Sequence, residues 1–250
     1  MPKPRVGIFG LTGCAGDQLV ILNCEDELLD IVDLVDLRDF VMASSARDAE
    51  CPLEVAFVEG AVVTEEDERR LRQVRERAAT LVAIGTCAVW GGIPAMPGEA
   101  PRRELLRLVY GDVGEQYGDG EARAVKEVVK VDAEISGCPI EKEQFLKALA
   151  YLLNGDMPLL PSYPVCSECR IQENHCLLMG EGAFCCGPLT LAGCGARCPS
   201  LGVACIGCRG PAPDANVPSA VRLFASNGYG HDEIVSRLTT FAPVAAGRSA

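Results

Sequence analysis

The stretch Arg5-Val6-Gly7-Ile8-Phe9-Gly10-Leu11-Thr12-Gly13-Cys14-Ala15-Gly16-Asp17 decides the fold. Residues 5–11 are a short apolar run that reads as a first strand. Thr12 to Asp17 make a glycine-containing loop with a cysteine at its centre. Residues 17–31 then carry Leu19, Leu22, Leu28 and Leu29 with acids opposite, the pattern of an amphipathic helix. A strand, a glycine turn and a helix also begin a dinucleotide-binding unit, but the order Gly10, Gly13, Gly16 does not give G-x-G-x-x-G.

The same alternation continues outward. Apolar runs at 32–37, 53–58 and 80–84 read as further strands. Thr64, with Asp67 three residues on, is a capping box that opens a helix carrying Leu71, Val74 and Ala78. The series closes with a strand over 128–135 and an amphipathic helix over 141–153, ended by Asn154-Gly155. Strands alternating with helices predict an α/β fold, a parallel sheet with helices on both faces. Pro158, Pro161 and Pro164 mark a linker, so residues 1–155 are expected to form one domain and 156–250 a second, smaller one. In that second part hydrophobic periodicity disappears until two short helices over 217–226 and 232–241.

Five of the fourteen cysteines lie before residue 156 and nine after it. A chain of 250 residues with 48% hydrophobic residues has enough core not to need disulfides, so metal ligation is the better reading. The net charge of -12 argues against nucleic acid or an anionic membrane surface as partner. No apolar run reaches the roughly 18 residues that span a bilayer. The N-terminus lacks the features of an export signal, so a soluble, cytoplasmic protein is expected.

Three loops of the first part place a cysteine just after a strand: Cys14 in Thr12–Asp17, Cys87 after Gly85-Thr86, and Cys138 after Ser136-Gly137. The carboxyl ends of parallel strands line one crevice, so Cys14, Cys87 and Cys138 with Asp17 supply four ligands around one site. A lone cysteine after a strand is more often a buried small hydrophobe, but here three recur in equivalent places, each beside glycine. In the second part Cys166-x-x-Cys169, Cys176 and Cys185 form one group, and Cys194, Cys198, Cys205 and Cys208 another. Such spacings suit iron-sulfur clusters, and zinc accepts the same donors. A third site in the sheet part weighs for clusters, since structural zinc needs no neighbours in a row. Cys24, Cys51 and Cys186 are left over as non-ligands. His175 reads as a hydrogen-bonding neighbour of a ligand, His231 as a cap or a solvent-facing group, and Trp90 as a candidate interface anchor.

Taken in order, Leu11–Gly16, Gly85–Gly92, Gly137-Cys138-Pro139, Cys185-Cys186-Gly187-Pro188 and Cys205-Ile206-Gly207-Cys208 resemble the small subunit of nickel-iron hydrogenases, over residues 5–210. The resemblance implies a flavodoxin-like sheet domain carrying a proximal cluster on Cys14, Cys87 and Cys138. It implies a distal cluster on Cys166, Cys169, Cys176 and Cys185, and a medial one on Cys194, Cys205 and Cys208. Asp17 stands where a proximal cysteine is usual, which means an aspartate ligand or an open iron. Cys166 replaces a histidine, and Cys198 adds a fourth medial ligand, so that all three clusters are expected to be 4Fe-4S.

The resemblance further implies hydrogen activation at a nickel-iron centre on a partner large subunit, this chain relaying electrons. Soluble members of the NAD(P)-linked, sulfhydrogenase type are the nearest pattern, with this chain as delta-like subunit. An FAD-containing diaphorase using NAD(P) and a further iron-sulfur subunit would be the other partners. Hydrogenases linked to F420 or to heterodisulfide reductase are the second reading. A zinc-stabilised, flavodoxin-like scaffold that binds partners is the reading from another class.

Overall fold

The computed structural model describes residues 3–45, 48, 50–96, 101–117 and 120–242. In chain order the elements are β1 (Arg5–Gly10), α1 (Gly16–Leu22), α2 (Leu28–Leu34), β2 (Asp36–Phe40), β3 (Leu53–Glu59), α3 (Glu65–Arg77), β4 (Ala78–Ile84) and α4 (Gly85–Trp90). There follow α5 (Arg102–Tyr110), β5 (Ala133–Ile135), α6 (Lys142–Leu153), α7 (Val165–Ile171), α8 (Leu177–Glu181), α9 (Arg197–Ser200), α10 (Val217–Ser226) and α11 (His231–Thr239). The five strands form one sheet in the order β2-β1-β3-β4-β5, every pair parallel. That is the doubly wound, flavodoxin-like order, whose crevice opens at the carboxyl ends of the strands where the order reverses.

Side-chain alternation builds a core on each face of the sheet. Val55 and Phe57 of β3 point to one side with Val6, Ile8, Val82 and Ile84, where Ile21 of α1 and Phe145 and Leu149 of α6 cover them. Ala56 and Val58 point to the other with Phe9, Leu81 and Ala83, under Leu71 and Val74 of α3. Burial on both faces explains why the strands read as continuous apolar runs. Each large apolar side chain so buried contributes ~1.5–3 kcal/mol, and Phe57 adds an edge-to-face contact with Phe145, centroids 5.2 Å apart.

The expected capping box is present: Thr64 Oγ1 accepts from Asp67 N, and Asp67 Oδ2 accepts from Thr64 N. Three expectations need correction. The helix expected over 17–31 is two short ones, and the strand expected over 32–37 is displaced to Asp36–Phe40. The chain turns between α1 and α2 to bury Cys24, whose thiol reaches Val20 O, while Leu19 and Leu29 stay exposed. The last strand is only Ala133–Ile135, because Val128, Val129 and Val131 pack against the α3-side core from a loop.

Residues 165–242 gather a separate apolar cluster around stacked Phe184 and Phe224, and Cys185, Cys186 and Cys205 belong to it. Among the described residues no helix is long and apolar enough to cross a membrane.

Candidate metal centres

Three loops at the carboxyl ends of β1, β4 and β5 meet at the sheet's crevice. After β1 the chain passes Cys14 and turns through Ala15, at φ 61°, into α1. After β4, Gly85 at φ 82° starts α4 directly, so Cys87 lies in its first turn. After β5, Cys138 leads into a cis peptide bond with Pro139. Glycine is sterically required at 85 and 92 and fits closely at 16. A Cβ on Gly16 would come 3.2 Å from Cys14 Sγ, one on Gly92 2.8 Å from Cys87 Sγ, and one on Gly85 would overlap Oδ2 of Asp17.

Cys14 and Cys138 are exposed and Cys87 is half-buried. Burial pushes the Cys87 thiol up to about 12, and negative charge on Cys138, Asp17 and Cys14 works in the same direction. Burial also raises Cys138, with Asp17 and Cys14 adding to it. The four expected donors therefore share one neighbourhood. Asp17 is buried, and burial, then Glu59, drives its carboxyl up to about 7, against the Ile140 N–H that donates to Oδ1 at 2.7 Å. Glu59 is itself buried, accepting from the N–H groups of Asp17 and Gln18 at 3.3 Å and from Gln18 Nε2 at 2.8 Å.

In the second part, α7 carries Cys166 and Cys169, Cys176 stands just before α8, and Cys185 lies in the buried turn beyond. The Cys166 thiol is raised to about 11 by burial first, then by Cys185, Cys169 and Cys176, so this group also converges. A Cβ on Gly187 would lie 3.3 Å from Cys166 Sγ and 3.5 Å from Cys185 Sγ. In the third group burial raises Cys208 to about 11, followed by Cys194, with Cys198 and Cys138 adding to it and Arg209 opposing. Cys205 leans another way. Its thiol reaches Thr190 Oγ1 at 3.6 Å, its charged neighbours are Cys186 and Cys185, and burial holds it far above the ordinary thiol range.

The groups touch one another. Thr86, next to Cys87, donates its hydroxyl to Cys208 O at 2.5 Å, and Ser136 donates to Arg209 O at 2.6 Å. Cys205 N–H donates to Cys185 Sγ at 3.3 Å. Among the described residues no three His, Cys, Asp or Glu side chains close on a point as a single metal ion demands. The thiolate-rich donor set suits an iron-sulfur cage, and a backbone N–H near sulfur, as at Cys185, suits one too.

Cys24 is fully buried in the sheet core, and Cys51 is held near Arg5. Cys186 is buried beside Cys185, its thiol raised to about 12 by burial. His175 is exposed, 3.7 Å from Glu181, and His231 is exposed at the start of α11. Trp90 packs within the chain, against Gly210 and under Lys126, whose Nζ lies 4.1 Å from the ring centroid. Four residues escape the sequence reading: Glu59, Thr86, Ser136 and Arg209. A carboxylate ending an apolar strand was the visible sign for Glu59; the others act on partners distant in the chain.

The family model described as NADH ubiquinone oxidoreductase, 20 Kd subunit, matches residues 14–152, more than half of the chain. The chain is 38% identical to sulfhydrogenase 2 subunit delta of Pyrococcus furiosus over 238 residues, 95% of this chain and 99% of that one. It is 34% identical to a vhu subunit of the F420-non-reducing hydrogenase of Methanocaldococcus jannaschii, over 82% of this chain and 81% of that one. Among solved structures, a chain of an NAD+-reducing [NiFe]-hydrogenase superposes with a TM-score of 0.57 at 26% identity, covering 64% of this chain and 96% of that chain. With this fold, these ordered cysteine loops and these relatives, the chain belongs to the NADH ubiquinone oxidoreductase 20 Kd subunit family, on its branch of nickel-iron hydrogenase small subunits.

Proposed function

We propose that this chain relays electrons through three 4Fe-4S clusters between a hydrogen-activating nickel-iron site on a partner large subunit and a diaphorase that reduces NAD(P). The observation that supports the reading is contact between the cysteine loops: Thr86 and Ser136 bond the backbone of Cys208 and Arg209, and the Cys205 N–H bonds Cys185 Sγ. When bound, such clusters accept and release one electron at a time at potentials set by ligands, hydrogen bonds and exposure.

The residues divide as follows. Cys14, Asp17, Cys87 and Cys138 would hold the proximal cluster in a sheet domain of residues 1–155. Asp17 offers Oδ2, because Oδ1 already accepts from Ile140. Cys166, Cys169, Cys176 and Cys185 would hold the distal cluster, and Cys194, Cys198, Cys205 and Cys208 the medial one, in a domain of residues 156–250. Cys205 would have to turn from Thr190 toward the other three. Burial favours the neutral thiols here, so ligation must release protons.

Likeness to NAD-reducing hydrogenases supports a pyridine-nucleotide acceptor; an FAD-containing diaphorase, a further iron-sulfur subunit and a cytoplasmic location complete the proposal. Likeness to F420-non-reducing hydrogenase subunits supports a second reading with another acceptor. This chain should carry about twelve iron and twelve sulfide, and the purified complex should reduce NADP with hydrogen. Near-zero iron would end the cluster reading. Full iron with hydrogen consumption but no pyridine-nucleotide reduction would favour the second acceptor.

A further inference from the structure

Arg209 directly follows Cys208. At 1% exposure it is the largest fully buried side chain among the described residues. A guanidinium keeps its charge in a protein, so burial must be offset by hydrogen bonds or nearby negative charge. Its fork meets part of that need: Nε donates to Leu191 O at 3.2 Å and Ala192 O at 3.0 Å, and Nη2 donates to Gln144 Oε1 at 2.7 Å. All three acceptors are neutral.

Nη1 is buried with no partner. The two nearby acids are engaged elsewhere: Glu168 accepts from the N–H groups of Gly193 and Ala196, and Glu141 pairs with Arg197. The guanidinium packs on the loop that carries Cys194. A Cβ built on Gly193 would meet its Nη2 at 2.5 Å and its Cζ at 3.1 Å. Cys194 and Cys208 are the groups whose negative charge, once ionised, bears on it most. An unpartnered N–H on a buried cation is costly to keep unless a group beyond the chain's own atoms receives it.

We infer that Arg209 sets the potential of the medial cluster, with Nη1 as the hydrogen-bond donor to it and the buried charge favouring its reduced form. The inference rests on the medial site being an iron-sulfur centre, as proposed above. A fixed positive charge and an N–H donor both stabilise the more negative, reduced state, which raises a cluster's potential. Arg170, the basic residue bearing on the Cys166 group, is exposed and so screened by water.

The test is an EPR-monitored redox titration of the purified complex carrying R209Q. The medial potential should fall enough to change its oxidised-to-reduced ratio about tenfold at fixed ambient potential, ~59 mV for a one-electron couple, with the proximal and distal potentials unchanged. A medial potential that does not move, or an equal shift in all three, overturns the inference. Should R209Q fail to assemble, Q144E keeps the guanidinium and sets a carboxylate against Nη2. It should lower the same potential, and an unmoved medial signal in folded Q144E overturns the inference as well. Iron and sulfide measured on the same samples separate the failures: an iron-free wild type defeats the cluster reading, whereas full iron with an unmoved medial signal defeats only the role of Arg209.

Discussion

Gly85 sits at φ 82°, a conformation that costs an alanine ~1–2 kcal/mol. A Cβ there would also overlap Oδ2 of Asp17 and come 2.5 Å from its carboxyl carbon. Gly85→Ala should therefore push Asp17 off Ile140 N, adding ~1–3 kcal/mol for the unpaired buried group. A total loss of about 3 kcal/mol in denaturant unfolding is expected, together with a moved proximal-cluster EPR signal. Gly228, at φ 94° with open space around it, is the control: Gly228→Ala should lose only the backbone strain and leave the spectrum alone. Equal losses in the two variants would show that Asp17 is not held by Gly85. At this scale the meeting of Cys14, Cys87 and Cys138 was legible, because thiols beside glycine after a strand form a local pattern. Arg209 was not, since its meaning comes from Gln144 and from the Gly193 loop, which only the folded chain brings to it.

Among the elements, those whose apolar residues share one face were readable. Helix α10 matches its expected span, 217–226, and α6 differs from its expected span by one residue. The pattern over 17–31 misled because Leu19 and Leu29 are apolar yet exposed, so counting them concealed the turn at Cys24. Helix α5 was not read at all; its Leu108 is 81% exposed, so no core disciplines its pattern. The junction of β4 and β5 with the Cys208 turn was equally invisible, since it depends on hydroxyls meeting carbonyls more than seventy positions away. Thr86 Oγ1 gives its proton to Cys208 O and accepts from Gly137 N at 3.2 Å, all within the interior. Thr86→Val keeps the shape and removes both bonds, so it should cost ~1–3 kcal/mol and raise hydrogen exchange at the Gly137 amide. Thr86→Ser should stay close to wild type. A Val variant as stable as wild type, with Gly137 still protected, would show that the junction is held by other contacts.

For the whole molecule, stability is divided unevenly. The sheet has two apolar cores built from five paired strands, which can persist on burial alone. Residues 165–242 have one cluster, partly made of Cys185, Cys186 and Cys205, and the helices between Val165 and Ser200 are seven residues or shorter. Isolated helices of that length do not hold in water, so on the proposed reading bound clusters would supply much of this part's folding free energy. Removing iron with a chelator under reducing conditions should therefore act selectively. Hydrogen exchange is expected to rise sharply at amides from 165 to 212, including Cys186 N and Thr190 N, which bond within the cysteine turns. Amides of β3 and β4 should stay protected, because their ladder joins strands buried on both faces. Protection lost together across the sheet and the cysteine-rich part would mean the two stand or fall as one cooperative unit. Protection kept in both would mean that side-chain packing alone supports residues 165–242.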